Sequence, residues 1–293
     1  MDNNRRFPLI LSSFWLKIVA LLTMTIDHVG LVYNIDAFRY IGRLALPLFC
    51  FMIAEGAIHT KNFRKYALRL GIMASLISLA IILSDTIPFI RNNGLSMRYY
   101  GIIFVDLLLG ALAVYFLRQN KWYIKLLAIL PIAYGVTSYL VSIFECVGCG
   151  QTIRWFPYFI RTQYGWYGIL MVVAFYVAHL LTKVFISYRS SVSGIDQELY
   201  KGTNLERHTL NIISVLALGV MTVGYYLCEY MINQYTPTDS LYQIQLYAII
   251  SGAFILLYNG YRGYNKKWFQ YGSYLYYPLH IAIIGLISFL QSL

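Results

Sequence analysis

Long apolar runs recur along the whole chain, and no long polar block separates them. The runs are continuous over about 17 to 22 residues, which predicts membrane-spanning helices and disfavours the alternating strands of a β-barrel. The pattern therefore predicts an all-α, polytopic helix bundle. Nine spans are predicted, at 15–34, 41–58, 66–84, 101–117, 123–143, 166–186, 210–230, 241–259 and 272–291.

Composition supports an integral membrane protein. The 293 residues are 59% hydrophobic and only 12% charged, with a mean hydropathy of +0.60. Soluble domains are about half apolar and a quarter charged. Since the apolar runs cover the whole length, we expect one domain over residues 1–293. The first run carries Asp27 and His28 and has no small-residue cleavage site after it, so we interpret it as an uncleaved first span.

The distribution of basic residues predicts the orientation. A cytoplasmic N-terminus leaves most of the 23 Lys and Arg residues inside, as the positive-inside rule requires. The net charge of +11 then reflects basic loops beside anionic lipid, and no motif for nucleic-acid binding is visible. Only six basic residues fall outside: Arg39, Arg43, Arg91, Arg98, Arg154 and Arg161.

The cysteines predict no metal site. Among the four, only Cys146 and Cys149 have a suggestive spacing, Cys-Val-Gly-Cys. A structural zinc site would need two further ligands nearby, and the sequence has no second motif of this kind. The pair is either an extracytoplasmic disulfide or two free thiols.

The pair Asp27-His28 is the leading candidate for chemistry. It lies about 15 to 17 Å beyond Lys17 along a helix, roughly half way through a hydrocarbon core of about 30 Å. An aspartate at that depth costs about 2.5 to 3.5 kcal/mol, which makes the pair a site hypothesis. Adjacent side chains on a helix diverge by about 100°, so the two need not contact each other. The alternative is a pair buried for helix packing.

A second group of polar residues surrounds the second span. Arg43 precedes Pro47, and Glu55 stands near the inner end of the span. Lys61, Arg64, Lys65 and Arg69 follow. These basic residues would suit a polyphosphate ligand at the cytoplasmic face, but they equally fit an ordinary positive-inside loop.

A third group lies near the C-terminus. In the segment Tyr258-Asn259-Gly260-Tyr261-Arg262-Gly263, two glycines permit a tight turn that would aim Arg262 back towards the membrane. Pro278 then precedes His280 by two residues. The segment is either a cofactor-binding turn or a simple connector between helices.

Six short motifs together resemble a known family. They are Ile26-Asp27-His28; Ile41-Gly42-Arg43-Leu44 with Pro47-Leu48-Phe49 and Ala54-Glu55-Gly56; Leu107-Leu108-Leu109-Gly110; Tyr164-Gly165-Trp166-Tyr167-Gly168; Leu257-Tyr258-Asn259-Gly260 with Arg262-Gly263; and Tyr277-Pro278-Leu279-His280. In this order they are similar to the signatures of the TraX family over nearly the whole chain. Two positions depart from that pattern: Thr162-Gln163 stand where Ala-Asp is expected, and Asp106 stands where a small polar residue is usual.

The resemblance implies a multi-pass acetyltransferase of the bacterial cytoplasmic membrane. TraX acetylates the N-terminus of conjugative pilin, and related transmembrane acyltransferases take the acetyl group from cytosolic acetyl-CoA and use an intramembrane histidine as the key catalytic residue. The residue that matches is His28. Given the two departures, the acceptor need not be pilin; a peptide N-terminus, a glycan and a lipid head group all stay open.

The resemblance and the chemistry of the residues suggest roles. Neutral imidazole can accept a proton near pH 7, so His28 is the expected general base. Asp27 or Glu55 would fix its tautomer, and Arg43 or His280 would hold the acceptor or the oxyanion. The nucleotide of acetyl-CoA is expected at the cytoplasmic face, against Lys61, Arg64, Arg69 and the turn with Tyr258, Asn259 and Arg262.

Two other classes of function fit the same residues. Intramembrane Asp, Glu and His also mark proton-coupled transporters, although the sequence shows no inverted repeat. A non-catalytic membrane component of a conjugation or secretion apparatus is the third possibility, and it predicts that His28 and His280 tolerate substitution.

Overall fold

The computed structural model describes residues 8–88, 101–146, 153–235 and 240–292. These ranges are helical and contain no β-strand; an isolated bridge pairs Leu11 with Tyr258. The predicted all-α fold is therefore confirmed. The α-helices are α1 Ser13–Tyr33, α2 Asp36–Gly42, α3 Ala45–His59, α4 Phe63–Thr86, α5 Ile103–Leu117, α6 Trp122–Leu126, α7 Ile129–Cys146, α8 Trp166–Ser193, α9 Asn204–Tyr235, α10 Gly252–Leu256 and α11 Lys267–Ser292.

The part of the chain that the structure describes has seven helices long and apolar enough to cross a membrane. Two further apolar helices, Ile103–Leu117 and Gln243–Leu256, are shorter. The first spans only about 22 Å at 1.5 Å per residue. The count of nine crossings therefore stays a prediction, whereas a multi-pass helical membrane protein is established.

The segment before α10 is an unusually long 3-10 helix, Ser240–Ser251. A 3-10 helix rises about 2.0 Å per residue, against 1.5 Å for an α-helix. Its 12 residues and the 5 of α10 therefore cover about 31 Å, close to the thickness of the hydrocarbon core. This stretched geometry lets a short apolar run reach across the bundle.

The helix bundle has two opposite ends, which we call the inner end and the outer end. The inner end contains the start of α1, where the amide of Leu11 donates to the carbonyl of Leu257 at 2.9 Å. The outer end contains the other end of α1, where Tyr33 donates to Gln291 at 2.8 Å. The charge distribution of the sequence predicts that the inner end faces the cytoplasm.

Carboxylates form ion pairs with several of the few arginines at the outer end. Arg39 and Arg43 both pair with Asp27, and Arg161 pairs with Glu145. Arg91 and Arg98 lie outside the described residues. So do Cys149 and the side chain of Cys146, and the choice between a disulfide and two free thiols therefore stays open. The two carboxylates offset only part of the positive charge of the described arginines at this end, because Arg39 and Arg43 share Asp27. The predicted orientation therefore rests on the count of basic residues.

The predicted second span is interrupted near its outer end. Helix α2 ends at Gly42 and α3 begins at Ala45, with Arg43 in the break. Pro47 therefore lies in the first turn of α3, where its missing N–H removes no hydrogen bond from the helix. The break directs Arg43 inward, and this side chain is only 9% exposed.

Candidate functional site

A histidine pair joins α1 to α11. Both helices begin at the inner end, His28 lies 15 residues beyond Ser13, and His280 lies 13 residues beyond Lys267, so the two reach similar depth. Nδ1 of His28 is 3.0 Å from Nε2 of His280, and the ring centroids are 4.9 Å apart. The structure thus brings together two residues that lie at opposite ends of the sequence.

Backbone carbonyls fix the tautomers of both rings. Nδ1 of His280 is 2.8 Å from the carbonyl oxygen of Tyr276, and Nδ1 of His28 is 2.9 Å from that of Met24. A carbonyl oxygen only accepts, so each neutral ring carries its proton on Nδ1. The single proton on Nδ1 of His28 is then shared between two acceptors, the carbonyl oxygen of Met24 and Nε2 of His280. Nε2 of His28 keeps a lone pair, as a general base requires.

Asp27 belongs to a separate charged group at the outer end. Its carboxylate accepts from Arg43 at 2.5 Å and lies 2.9 Å from Nη1 of Arg39. These side chains are 9 to 13% exposed. Asp27 is therefore satisfied by two guanidinium groups, and the tautomer of His28 is set by Met24 and His280 instead.

Gly42 makes room for this ion pair. A Cβ atom at Gly42 would overlap the side chain of Asp27. Two arginines hold that side chain in place, so the carboxylate cannot move aside without losing a partner. The glycine at the end of α2 is therefore a packing requirement of the Asp27 group.

Replacing Gly42 by alanine is expected to destabilise the protein by about 1 to 3 kcal/mol, the usual cost of overpacking. Gly219→Ala is the matched control, because Gly219 lies within α9 and a Cβ atom there meets nothing within 4 Å. Thermal unfolding in detergent measures both. Equal melting temperatures for Gly42→Ala and Gly219→Ala would show that Asp27 does not need the space.

The two departures from the family pattern are in contact. Asp106 is fully buried, and its carboxylate accepts from the backbone amides of Gln163 and Tyr164 at 2.7 and 3.1 Å. Asp106 therefore holds the segment that leads into α8. Tyr164 leads into α8, and its phenol lies close enough to Arg43 to interact electrostatically.

Glu55 is placed at the inner end and not beside His28. Its carboxylate lies 3.1 Å from Nε2 of His179 and accepts from Arg207 at 3.1 Å. His59 contributes a weaker contact at 3.4 Å. Glu55 thus connects α3 to α8 and α9, and the structure does not bring it to the histidine pair.

The glycine-rich turn ties the N-terminal segment to the bundle. Tyr258 is buried, and its hydroxyl lies 2.9 Å from that of Ser13. Burial raises the pKa of Tyr258 to about 12, so the phenol stays protonated at neutral pH. The side chain of Asn259 accepts from the amide of Tyr261 within the turn, while the side chain of Arg262 is exposed at the inner end. Tyr258 and Asn259 thus have structural partners.

An apolar cavity of about 180 Å³ leads from the inner end towards the histidine pair. Lys17, Gly56 and Tyr66 lie at its inner end, and Met24 and Tyr277 lie deeper. The ring centroid of Tyr277 is 6.3 Å from that of His28 and 5.7 Å from that of His280. Tyr277 therefore forms the wall between the cavity and the two histidines.

A basic groove opens beside the cavity. It lies at the turn between α3 and α4, where its lining includes Lys61, Arg64 and Arg118. The ring of Phe63, in the groove, is 6.3 Å from that of Tyr66, in the cavity. Groove and cavity are therefore neighbours at the inner end of the bundle, with the rings of Phe63 and Tyr66 between them.

Sequence reasoning missed several partners. Arg39 holds Asp27, and His179 and Arg207 hold Glu55. The sequence could have revealed two of these partners. Arg39 is a basic residue on the side where few are expected, and His179 is a polar residue within the predicted sixth span. No signal in the sequence marked Tyr277 as the wall of the cavity.

Comparison with known proteins adds a family and a relative. A family model described as "TraX protein" matches residues 12–288. Over 287 residues the chain is 24% identical to the "Probable fimbrial assembly protein FimC, serogroup H1" of Dichelobacter nodosus. The alignment covers 93% of this chain and 94% of that protein. No solved structure matches. The matched residues include the whole candidate site.

Proposed function

The chain belongs to the TraX family, as its six ordered motifs predict, and on that premise we propose that it is a membrane-bound acetyltransferase. It moves an acetyl group from acetyl-CoA to an amine or hydroxyl acceptor. The observation that carries the proposal is the His28–His280 pair, which lies beside the deep end of an apolar cavity whose other end is basic.

The proposed step is direct transfer. The acceptor nitrogen or oxygen attacks the thioester carbonyl, the new bond to carbon forms, and the carbon–sulfur bond breaks. Nε2 of His28 takes the proton of the acceptor and returns it to the departing thiolate of CoA. The carbonyl of Met24 and the ring of His280 support this role, because they keep the proton of the neutral ring on Nδ1.

Other residues position the reactants. His280 accepts through Nε2 from His28, so its neutral ring offers no proton there to an oxyanion, and we assign it to positioning His28. Arg43 is permanently charged and lies beside Tyr164, which suits a role in holding the acceptor at the outer end. We assign Glu55 a structural role at the inner end of the bundle, where its carboxylate accepts a hydrogen bond from Arg207.

The donor is proposed to enter from the inner end. Phosphates cannot cross hydrocarbon, so the nucleotide of acetyl-CoA stays in the basic groove with Lys61 and Arg64, within reach of Arg69 and Arg262. The slender pantetheine arm fits the apolar cavity. Movement of the Tyr277 ring would then admit the thioester to His28.

The acceptor is proposed to be a fimbrial or pilus subunit with a free N-terminus. The support is the name of the Dichelobacter nodosus relative, a probable fimbrial assembly protein. The same name suits a non-catalytic component of a fimbrial assembly apparatus, which is the second candidate. The two differ in one respect: only the enzyme consumes acetyl-CoA.

Membranes that contain the protein are expected to transfer label from acetyl-CoA to a membrane or secreted molecule. Mass spectrometry identifies the molecule that gains one acetyl group. Membranes without the protein are the control. Absence of any protein-dependent acetylation, with a well-folded protein and all candidate acceptors present, would favour the non-catalytic component.

A further inference from the structure

Two basic side chains lie near the inner mouth of the cavity: Lys17 lines it, and Arg69 lies against a ring that lines it. Lys17 lines the cavity, and its ammonium lies 5.5 Å from the ring centroid of Phe269. The guanidinium of Arg69 lies 6.0 Å from the ring centroid of Tyr66, which also lines the cavity. Lys17 and Arg69 are close enough for their positive charges to repel. Two cations from α1 and α4 thus share one rim.

No carboxylate within the described ranges lies within 4.0 Å of either cation to form an ion pair. Nε of Arg69 is buried and has no hydrogen-bond partner there. Glu55, on the neighbouring helix, is occupied by His179 and Arg207. Two like charges beside an apolar cavity are costly unless they share an anion, since the low dielectric strengthens their repulsion.

We propose that Lys17 and Arg69 form a phosphate site at the mouth of the cavity, for a ligand with phosphate at the end of a slender chain. The inference rests on the proposed function in identifying that ligand as acetyl-CoA, with its diphosphate on the two cations. The sequence already predicted that Arg69 faces the nucleotide of acetyl-CoA. Lys17 was not among the residues predicted to bind it. Phosphate accepts charge-assisted hydrogen bonds from both residue types.

The length of the donor fits this position. Lys17 and His28 are 11 residues apart on one helix, which is about 17 Å at 1.5 Å per residue. The chain from the phosphate to the sulfur of CoA has about 13 bonds, and an extended chain advances about 3.5 Å per three bonds, which gives about 15 Å. A diphosphate on Lys17 and Arg69 therefore places the sulfur at the depth of His28.

A phospholipid has the same chemistry, with phosphate at the rim and an acyl chain in the cavity. The two sources differ in what the protein retains. CoA binds reversibly from water, whereas an anionic phospholipid copurifies with the protein. The experiment therefore has one arm for each, on the full chain in nanodiscs of zwitterionic lipid.

The CoA arm measures the dissociation constant of CoA by calorimetry. Lys17→Gln and Arg69→Gln are each expected to weaken CoA binding about 10- to 100-fold, the loss of one charge-assisted contact, with no change for pantetheine, which lacks phosphate. Lys17→Arg is expected to restore CoA binding. The matched control is Lys183→Gln, an exposed lysine of α8 outside the proposed machinery.

The lipid arm measures bound phosphatidylglycerol by native mass spectrometry. If the wild type binds this lipid but not CoA, and Lys17→Gln and Arg69→Gln lose the lipid, the phosphate site is supported. CoA is then overturned as its ligand, and the proposed function is overturned with it. If the protein binds CoA and both glutamine variants bind it equally well, the site is overturned while the proposed function stands. If the wild type binds neither ligand, both are overturned.

Discussion

Replacing His28 by glutamine is expected to lower kcat for acetyl transfer by about 10²- to 10⁴-fold, the usual contribution of a general base. Glutamine keeps a polar side chain of similar length but cannot take a proton from the acceptor. The dissociation constant of CoA should change little, because the proposed phosphate and pantetheine contacts lie 11 residues away along α1 and in the cavity. Initial rates at saturating acetyl-CoA, with CoA binding measured separately, distinguish the two effects.

The matched control is His59→Gln. His59 is 55% exposed at the inner end of α3 and contacts Glu55, not the histidine pair. Its substitution should leave kcat within about twofold, since a surface change seldom alters stability by more than 0.5 kcal/mol. A similar loss of kcat in both variants would indicate general damage and would remove the special role of His28.

Replacing Asp27 by asparagine is expected to destabilise the protein by about 3 to 5 kcal/mol. The variant leaves Arg39 and Arg43 charged, largely buried and without their shared carboxylate. Unfolding in a denaturing detergent measures the loss. Adding Arg43→Gln to Asp27→Asn should recover part of it, because the double variant buries one unpaired charge fewer.

Asp36→Asn is the matched control for this change. Asp36 is an exposed aspartate in the first turn of α2, where a negative charge contributes about 0.3 to 1 kcal/mol through the helix dipole. The two aspartates are only nine residues apart but differ in burial. An equal loss of stability for Asp27→Asn and Asp36→Asn would contradict the buried ion pair.

The pairing of Asp27 with Arg43 follows from the depth of each residue in its span. The chain turns at Asn34. Asp27, seven residues before this turn, and Arg43, nine residues after it, therefore lie at similar depth on its two sides. Glu55 is 21 residues past the same turn and must lie near the other end. Counting residues from the turn therefore places Glu55 far from His28. The chemistry of the two side chains alone had suggested that they act together.

The contact between His28 and His280 could not be predicted from the depth of each residue alone. Both helices begin at the inner end, and the sequence gives both residues similar depth. Which helices become neighbours, however, depends on the packing of side chains across the whole bundle. The hydroxyls of Thr25 and Tyr276, 2.7 Å apart, fix the same two helices, and neither residue stands out in the sequence.

Local backbone geometry was the least predictable part. The break at Arg43 and the 3-10 helix Ser240–Ser251 both lie within apolar runs, and the hydrophobic pattern gives the same signal for an α-helix. Helix α8 also continues to Ser193, past the predicted end at 186, because a helix can extend beyond hydrocarbon into water. Hydrophobic pattern therefore predicted the spans better than their ends.

The central claim is that His28 performs proton transfer on a donor that reaches it through the cavity. The most direct test is a single-turnover experiment with labelled acetyl-CoA and saturating acceptor, on preparations whose CoA binding has been measured. Wild type and His59→Gln should transfer the label within one turnover, while His28→Gln should bind CoA normally and leave the label on it. Transfer by His28→Gln at the wild-type rate would contradict the account.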